Sequence, residues 1–236
     1  MLWCVTGSGT WIKDLWRALK RLRRAGLVVD VCMSRAGEEV ARIYGALPEL
    51  AMVANELFLD RLASGGRLAG RVASGRYCAV VIAPATSNTV AKIVAGIADT
   101  LPTTVASQCV KSGVPLIVAP SDYGERALST APCTVDPRRC VGCGVCASSC
   151  PVNAISIVEG VARIDYSRCV GTGICAAICP RSAIECWRTI VVEVPRAVLE
   201  LVARLRDMGV TIVESLDEAV ERVLEVCLGE AHPEPP

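Results

Sequence analysis

The sequence lacks the features that mark membrane and nucleic-acid-binding proteins. Its longest strongly apolar runs, such as 78–85, are far too short to cross a bilayer. Because 25 lysines and arginines face 24 acidic residues, the net charge of +1 gives no electrostatic reason to expect nucleic acid or an anionic membrane surface as a partner. The first residues lack the charged region and the apolar stretch of a signal peptide. We therefore expect a cytoplasmic protein without a membrane span.

Cysteine, by contrast, is abundant, with 14 in 236 residues. A disulfide scaffold is usually a small secreted domain, whereas this chain is long and its 52% apolar content can fill a core. Seven cysteines fall between Cys140 and Cys179 at metal-ligand spacings, and Cys186 follows. The remaining six are expected to be small buried hydrophobic residues: Cys4, Cys32, Cys78, Cys109, Cys133 and Cys227.

Short apolar runs alternate with helical periodicity over the first 130 residues. We predict strands at four of these runs: Leu2–Thr6, Leu27–Met33, Tyr77–Ala83 and Pro115–Ala119. Near-continuous apolar strands separated by helices are typical of a parallel sheet covered on both faces. The pattern predicts an α/β, doubly wound domain of the Rossmann or flavodoxin-like kind. The basic face of the first helix, with Lys13 and Arg17, is interpreted as solvated, with docking of an acidic partner as the alternative.

Residues 133–186 differ from their surroundings, because cysteine becomes dense and long helical periodicity disappears. Afterwards the earlier pattern returns, with two strands and two helices predicted in turn: Thr189–Val194, Val198–Met208, Val210–Val213 and Leu216–Leu228, the last capped by Ser215. The sequence therefore predicts an α/β domain in two parts (1–132 and 187–230) with an inserted α+β domain (133–186). The tail 231–236, which includes His232, is predicted to be disordered.

The inserted segment contains one ligand pattern twice. The two runs are Cys140-x2-Cys143-x2-Cys146-x3-Cys150-Pro151 and Cys169-x5-Cys175-x3-Cys179-Pro180. Thr172 stands where the repeat would place a cysteine, and the turn Glu159-Gly160 predicts a hairpin between the runs. Closely spaced thiolates aimed at a common centre are what an iron–sulfur cluster requires. A zinc site, the alternative, normally uses separated CxxC pairs or mixed cysteine and histidine ligands.

This internal repeat resembles the two-cluster bacterial ferredoxins over about 50 residues. Their crossed ligation implies two sets of ligands. The first is a complete [4Fe–4S] set of four thiolates, Cys140, Cys143, Cys146 and Cys179. The second has only three thiolates, Cys150, Cys169 and Cys175. Because threonine is a poor iron ligand, the second cluster is either [3Fe–4S] or a [4Fe–4S] cluster completed by water or by a nearby thiol such as Cys186.

Two predicted strand ends carry residues suited to a phosphate group. The first strand ends in Gly7-Ser8-Gly9 and leads directly into a helix, where backbone amides and the helix N-terminus favour an anion. The second ends at Ser34, which places a hydroxyl at the same carboxyl edge of the sheet, where ligands of open α/β sheets bind. A helix-capping role is the alternative for Ser34.

The segment Ala83–Leu101, with its run P-A-T-S-N-T, resembles the homo-oligomeric flavin-containing flavoproteins, and the resemblance spans roughly residues 1–125. That family includes cysteine decarboxylases, flavin prenyltransferases and dihydromethanopterin reductases. The resemblance implies bound FMN. The FMN phosphate is expected near Gly7, Ser8, Gly9 and Ser34. The ribityl and isoalloxazine parts are expected near the end of the third strand, at Thr86, Ser87 and Asn88. It also implies a homo-oligomer, a trimer or a multiple of it.

Within that family, the absence of histidine other than His232 argues against a decarboxylase, since those enzymes use a catalytic histidine. A ferredoxin module beside FMN favours uptake of single electrons from a ferredoxin-type donor and delivery of pairs. This arrangement resembles the dihydromethanopterin reductase (acceptor) type, in which hydride from FMN reduces dihydromethanopterin to tetrahydromethanopterin. The alternatives are an electron-transfer flavoprotein that serves a protein partner, and a flavin prenyltransferase-like enzyme. Trp11, Asp122 and Tyr123 are candidates for lining the pterin pocket, each with a purely structural role as the alternative.

Overall fold

The computed structural model describes residues 1–60 and 65–229, so the predicted tail with His232 lies outside the described residues. Strands and helices alternate through the first half of the chain: β1 (Leu2–Val5), α1 (Leu15–Arg24), β2 (Asp30–Met33), α2 (Arg35–Ile43), α3 (Leu47–Val53), β3 (Leu57–Leu59), α4 (Gly65–Ala73), β4 (Val80–Ala85), α5 (Ser87–Val94), α6 (Leu101–Ser112) and β5 (Leu116–Pro120).

Shorter elements follow before the last two long helices: β6 (Arg126–Thr130), β7 (Thr134–Val135), α7 (Val145–Ser148), β8 (Ile155–Val158), β9 (Val161–Ile164), α8 (Ile174–Ala177), β10 (Ile184–Glu185), β11 (Thr189–Glu193), α9 (Arg196–Asp207), β12 (Thr211–Ile212) and α10 (Leu216–Leu228). Among the described residues, no helix is both long and apolar enough to cross a membrane.

Six strands form one parallel sheet in the order β12–β5–β4–β1–β2–β3. Read from the other edge, this is the strand order of the dinucleotide-binding doubly wound fold, in which the direction of winding reverses beside β1. The doubly wound α/β prediction is therefore confirmed. Because β1 lies between β2 and β4, the carboxyl ends of these three strands meet at one crevice, which is where such folds bind ligands.

Alternate residues of the strands supply two separate cores, one on each face of the sheet. Trp3 of β1 packs into the core that contains α1 and α10, where Leu19 and Val220 are fully buried. Leu2, its neighbour in the chain, packs into the opposite core with α4, α6 and α9, where Leu205 is fully buried. Strands buried on both faces explain why the sequence shows continuous apolar runs and not alternation.

The predicted strand limits differ from the observed ones for a physical reason. Residues 27–29 and 77–79 were predicted as strand, whereas β2 begins at Asp30 and β4 at Val80. Val29 and Ala79 are nevertheless completely buried, so the apolar pattern reports burial of the approach to each strand and not sheet pairing. The strand predicted at 189–194 exists as β11, but it pairs antiparallel with β6 in a separate ribbon outside the central sheet.

The cysteine-rich segment folds as two copies of one small unit. The predicted hairpin is present, with β8 and β9 paired antiparallel and both turn residues, Glu159 and Gly160, at positive φ. Strands β7 and β10 pair antiparallel, and a one-turn helix, α7 or α8, follows the first cysteines of each run. This is the ferredoxin-like α+β fold that the repeat predicts.

Two of the six scattered cysteines are not buried hydrophobic residues. Cys78 is exposed in the loop that leads into β4, and Cys227 lies half-buried near the end of α10. Their sulfur atoms form a disulfide across 149 residues of sequence. Cys133 is buried, as predicted, but it is paired with Cys186. Cys4, Cys32 and Cys109 are buried in the core beneath α6, as the sequence predicts.

Candidate functional site

A cleft of about 690 Å³ lies at the carboxyl edge of the sheet, where β1, β2, β3 and β4 end. The strand ends supply Thr6, Gly7, Ser34 and Thr86, so the parallel order of the strands brings together residues that are up to 80 positions apart. The whole lining consists of Thr6, Gly7, Ser34, Arg35, Ala36, Asp60, Thr86, Asn88, Thr89, Lys92, Asp99 and Thr100.

Helices α2 and α5 begin at this cleft, each with a hydroxyl side chain at its N-cap. Ser34 Oγ accepts a hydrogen bond from the backbone N–H of Gly37 at 3.0 Å at the start of α2. Thr86 Oγ1 accepts one from the N–H of Thr89 at 3.3 Å at the start of α5. The N-terminal ends of both helices therefore direct partial positive charge toward the cleft, and Arg35 adds a full charge, which suits a phosphate group.

Close backbone packing makes glycine necessary at the first of these turns. A Cβ atom on Gly7 would lie 2.6 Å from Cβ of Ala36, so any larger residue would push α2 away from β1. Removing side chains here lets main-chain amides approach a ligand, as in other phosphate-binding turns. Glycine at position 7 thus allows β1 and α2 to pack closely on the two sides of the cleft.

The structure brings four of the seven predicted FMN residues into the cleft lining, namely Gly7, Ser34, Thr86 and Asn88. The other three lie beside it with different partners. Ser8 Oγ donates to Thr10 at 3.0 Å, and a Cβ on Gly9 would lie 2.5 Å from the Tyr44 hydroxyl. The N–H of Ser87 donates to Asp122 at 3.3 Å.

Several lining residues were missed by sequence reasoning. Asp60 follows β3, a strand of three residues that is too short to stand out by its pattern, and its carboxylate accepts a hydrogen bond from the N–H of Leu101 at 3.1 Å. Lys92 and Asp99 form an ion pair of 2.7 Å at the rim. The short apolar run Leu57–Leu59 is the only local indication of this strand, and residues at strand ends, such as Asp60, bind the ligands of this fold.

The residues suggested for the pterin pocket are not in the lining of the cleft. Trp11 packs against the core on the α1 face, and Tyr123 packs against the opposite core, where its hydroxyl accepts from Arg206 at 3.3 Å. Asp122 lies at the same edge as the cleft through its bond to Ser87. These contacts are structural, and a part in pterin binding for the three residues stays a prediction.

Two small thiol-lined cavities occupy the ferredoxin-like unit. One is lined by the four cysteines of the first predicted set, Cys140, Cys143, Cys146 and Cys179, and we call it the first thiol cavity. The other, the second thiol cavity, contains Cys150, Cys169 and Cys175 together with Thr172 and Cys133. The last cysteine of each run, Cys150 or Cys179, therefore crosses to the other cavity, which is the grouping that crossed ligation implies.

The surroundings of these cysteines fit thiolate ligands. Backbone N–H groups donate to sulfur at three places, Ala162 to Cys140 (3.4 Å), Ala183 to Cys179 (3.2 Å) and Ala154 to Cys150 (3.3 Å). Such bonds stabilise negative charge on the sulfur of a bound cluster. The residues present thus fit two iron–sulfur clusters in the chemistry of their donors and in the hydrogen bonds to them.

Burial and backbone hydrogen bonds shift the pKa values of three of these thiols. The pKa of Cys179 lies below its ordinary value. Desolvation raises this pKa, but the hydrogen bonds from the backbone around Ala183 together lower it by more. Desolvation raises the pKa of Cys146 and of Cys175. Iron binding offsets that desolvation, because a metal ion stabilises the deprotonated thiolate.

The second thiol cavity packs directly against the α/β domain. Arg42, near the end of α2, donates to the carbonyl oxygens of Cys169 and, at 3.0 Å, of Tyr166. A Cβ atom on Gly45 would lie 2.7 Å from the carbonyl oxygen of Gly171. Helix α2 therefore begins at the cleft with Ser34 as its cap and ends against the second thiol cavity, a length of about 13 Å for its nine residues.

Trp187 forms a further contact at this junction. Its ring lies 3.5 Å from the ammonium group of Lys13, and a Cβ atom on Gly173 would lie 2.5 Å from the ring. Burial beside the ring lowers the pKa of Lys13. The indole N–H of Trp187 is buried without a hydrogen-bond partner. The contact fixes the loop of the second cysteine run on the start of α1.

Comparisons with known proteins agree with both parts of this site. The family model described as Flavoprotein matches residues 1–135, and the model described as 4Fe-4S dicluster domain matches residues 132–183. The chain is 37% identical over 164 residues to dihydromethanopterin reductase (acceptor) of Methanocaldococcus jannaschii, an alignment that covers 66% of this chain and 67% of the relative. It is 38% identical over 169 residues to the protein of the same name from Methanosarcina mazei, covering 67% of this chain and 71% of the relative.

A solved structure extends the likeness over nearly the whole chain. Burkholderia xenovorans DmrB in complex with FMN, a cubic protein cage for redox transfer, is 29% identical, and the superposition has a TM-score of 0.59 over 96% of this chain and 95% of that protein. The match by sequence to the Flavoprotein model covers the cleft, and the match to the dicluster model covers all the cysteines that line the two thiol cavities. The chain therefore belongs to the flavoprotein family, as a member that also carries a 4Fe–4S dicluster domain.

Proposed function

We propose that this protein is an iron–sulfur flavoprotein reductase that takes single electrons from a ferredoxin-type donor and reduces dihydromethanopterin to tetrahydromethanopterin. The observation that carries the proposal is the position of α2, whose N-terminus borders the cleft at Ser34 and whose Arg42 holds the backbone of Cys169 beside the second thiol cavity. A dicluster module attached in this way suits electron transfer into the α/β domain.

FMN is the cofactor proposed for the cleft. Its phosphate would be held by the Ser34 hydroxyl, by the main chain at Gly7 and by the N-terminal ends of α2 and α5, with Arg35 as the balancing charge. Thr86 and Asn88, which also line the cleft, would contact the ribityl and ring portions. The FMN complex of Burkholderia xenovorans DmrB supports this assignment.

The flavin would supply hydride transfer to the substrate, and the clusters would supply one-electron transfer. The chain itself would bind and orient these groups. Crossed ligation would fix the two thiol cavities in one rigid unit. The contacts of Arg42 and Gly171 with α2 and its following turn hold that unit on the α/β domain. Fixed positions matter because misplacement of a reacting group by a small distance slows transfer strongly.

The proposed substrate rests on the two archaeal relatives, both of which carry the name dihydromethanopterin reductase (acceptor) and align with about two thirds of this chain. The cage described for Burkholderia xenovorans DmrB supports a homo-oligomer, which the sequence also predicts as a trimer or a multiple of it. The proposed partners are therefore a ferredoxin-type donor, a dihydropterin and further copies of this chain.

A steady-state assay under anaerobic conditions tests the proposed reaction. Holoprotein with reduced viologen as the electron source should convert dihydromethanopterin to tetrahydromethanopterin, followed by absorbance of the pterin. An electron-transfer flavoprotein without its own organic substrate would become reduced and remain so when the dihydropterin is added. That result would exclude the reductase and leave the electron-transfer role.

A further inference from the structure

The second thiol cavity contains more sulfur than its three predicted ligands provide. Thr172 lies on its wall at the position where the repeat lacks a cysteine. Cys133 lies on the same wall and is only 3% exposed. The sulfur atoms of Cys133, Cys175 and Cys186 all lie within 4.8 Å of one another. The second thiol cavity, which lacks one predicted ligand, thus has two additional cysteine sulfur atoms nearby, those of Cys133 and Cys186.

The internal repeat shows that these thiols are specific to the deficient half. Cys133 precedes Cys140 by seven residues, and its counterpart seven residues before Cys169 is Ala162. Ala162 lines the first thiol cavity, where four cysteines are already present.

The same relation holds after each run. Cys186 follows Cys179 by seven residues, and its counterpart seven residues after Cys150 is Ile157, which also lines the first thiol cavity. Alanine and isoleucine therefore stand in the complete half at the two positions that are cysteine in the incomplete half. The two extra cysteines therefore occur only in the half in which Thr172 stands in place of a ligand.

Geometry distinguishes between the two extra thiols. Cys133 lines the second thiol cavity, and its carbonyl oxygen accepts a hydrogen bond from the Tyr166 hydroxyl at 2.8 Å, which fixes its backbone beside the Cys169 loop. Cys186 is not among the residues that line this cavity. It follows directly after the β7–β10 pair Thr134–Glu185 and forms a disulfide with Cys133.

We propose that Cys133 supplies the fourth thiolate of the second cluster in place of Thr172. When no iron is bound, Cys133 forms a disulfide with Cys186 instead. Thiolate is the ligand that iron–sulfur clusters take, and four are needed for a complete cubane. The assignment rests on the dicluster interpretation of the cysteine-rich segment and not on the identity of the pterin substrate.

The disulfide must be opened before Cys133 can bind iron. A dithiol reductant transfers two electrons and two protons to the Cys133–Cys186 pair, which becomes two thiols while the reductant becomes its own disulfide. Cys133 then releases its proton to solvent when its sulfur binds iron. Cys186 remains a free thiol beside the loaded site.

Iron content and EPR of the full chain test this assignment without any measurement of turnover. Protein treated with a dithiol and then loaded anaerobically with ferrous iron and sulfide should hold about eight irons per chain and show no [3Fe–4S] signal when oxidised. Cys133→Ala and the closely similar Cys133→Ser should each lose about one iron and gain that signal. Thr172→Cys introduced into Cys133→Ala should restore the iron and abolish the signal.

Two control variants make the test selective. Cys186→Ala should keep the full iron content and load without prior dithiol treatment, and Cys109→Ala, a buried cysteine of α6, should behave as the unsubstituted protein. The proposal is wrong if Cys133→Ala or Cys133→Ser keeps the full iron content without a [3Fe–4S] signal. It is equally wrong if the iron is lost from Cys186→Ala alone, or if the dithiol-treated unsubstituted protein already shows the [3Fe–4S] signal.

Discussion

Gly45, in the turn after α2, and Gly171, in the loop of the second cysteine run, touch through their backbones. A Cβ atom on Gly45 would lie 2.7 Å from the Gly171 carbonyl oxygen, and one on Gly171 would overlap the Gly45 nitrogen. Both residues have positive φ, +68° and +63°. No side chain fits between the two loops at this point, so their backbones are in direct contact.

Replacing Gly171 should separate the two units without removing either. Gly171→Ala combines the cost of a left-handed backbone, about 1–2 kcal/mol, with overlap at Gly45. We expect FMN affinity and iron content to remain, and reduction of bound FMN by a one-electron donor to slow by about tenfold or more, as expected for a misplacement on the order of 1 Å. Stopped-flow absorbance of the flavin measures this rate.

Gly209→Ala is the matched control for that experiment. Gly209 has a similar φ of +80°, but nothing lies within 4 Å of the position that a Cβ atom would take, so the variant carries the backbone cost without the overlap. It should lose comparable stability in a denaturant titration and keep the rate of flavin reduction. Equal slowing in both variants would mean that the Gly45–Gly171 contact does not govern electron entry.

Substitution of Ser34 should affect both stability and FMN binding. Its hydroxyl caps α2 through the N–H of Gly37 and also lines the cleft, so Ser34→Ala should lose about 1 kcal/mol of folding stability. Loss of a hydrogen bond to a charged phosphate should weaken FMN binding by about 1.5–3 kcal/mol. Denaturant titration and fluorescence titration with FMN measure the two effects separately.

Two further serine variants separate capping from phosphate binding. Ser34→Gly should keep most of the cap energy and still weaken FMN, because glycine is tolerated at N-caps but has no hydroxyl. Ser215→Ala removes an equivalent cap, on α10 through the N–H of Glu218 at 3.1 Å, far along the chain from the cleft residues. It should lose stability and keep FMN affinity. If Ser34→Gly binds FMN as tightly as the unsubstituted protein, Ser34 is a cap only.

The metal content of anaerobically purified protein should be about seven or eight irons per chain when both thiol cavities are filled. Cys143→Ser removes a ligand of the first thiol cavity only and should lower that number by up to about four, because one cubane holds four irons. Elemental analysis measures this directly. Iron near zero together with stoichiometric zinc would overturn the iron–sulfur assignment.

Sequence patterns predicted the central strands and the ligand grouping for reasons that are local. β1, β4 and β5 are continuous apolar runs because both faces of the sheet are covered, and the cysteine spacings are those of a repeated short turn. These features depend on neighbouring residues, so a single sequence carries them. β3 was missed because three residues show no period, and Asp60 at its end was missed with it.

Features that depend on tertiary packing were not predictable in the same way. Nothing near Gly45 or Gly171 in the sequence indicates that they touch, because the contact joins segments more than 120 residues apart. The sequence does not mark Cys133 as a ligand, because its distance of seven residues from Cys140 is not a ligand spacing of the repeat. Its place in the second thiol cavity follows only from the pairing of β7 with β10.

The central claim is that electrons enter through the clusters, and the two half-reactions of Cys143→Ser test it most directly. Cys109→Ala serves as the control, and NAD(P)H should be a poor donor for both variants. We predict that a ferredoxin-type donor reduces the bound flavin of Cys143→Ser far more slowly than that of the control, whereas flavin reduced beforehand with dithionite is reoxidised by dihydromethanopterin at the control rate. Full turnover of Cys143→Ser with the one-electron donor would contradict the account, because the first thiol cavity would then lie off the electron path.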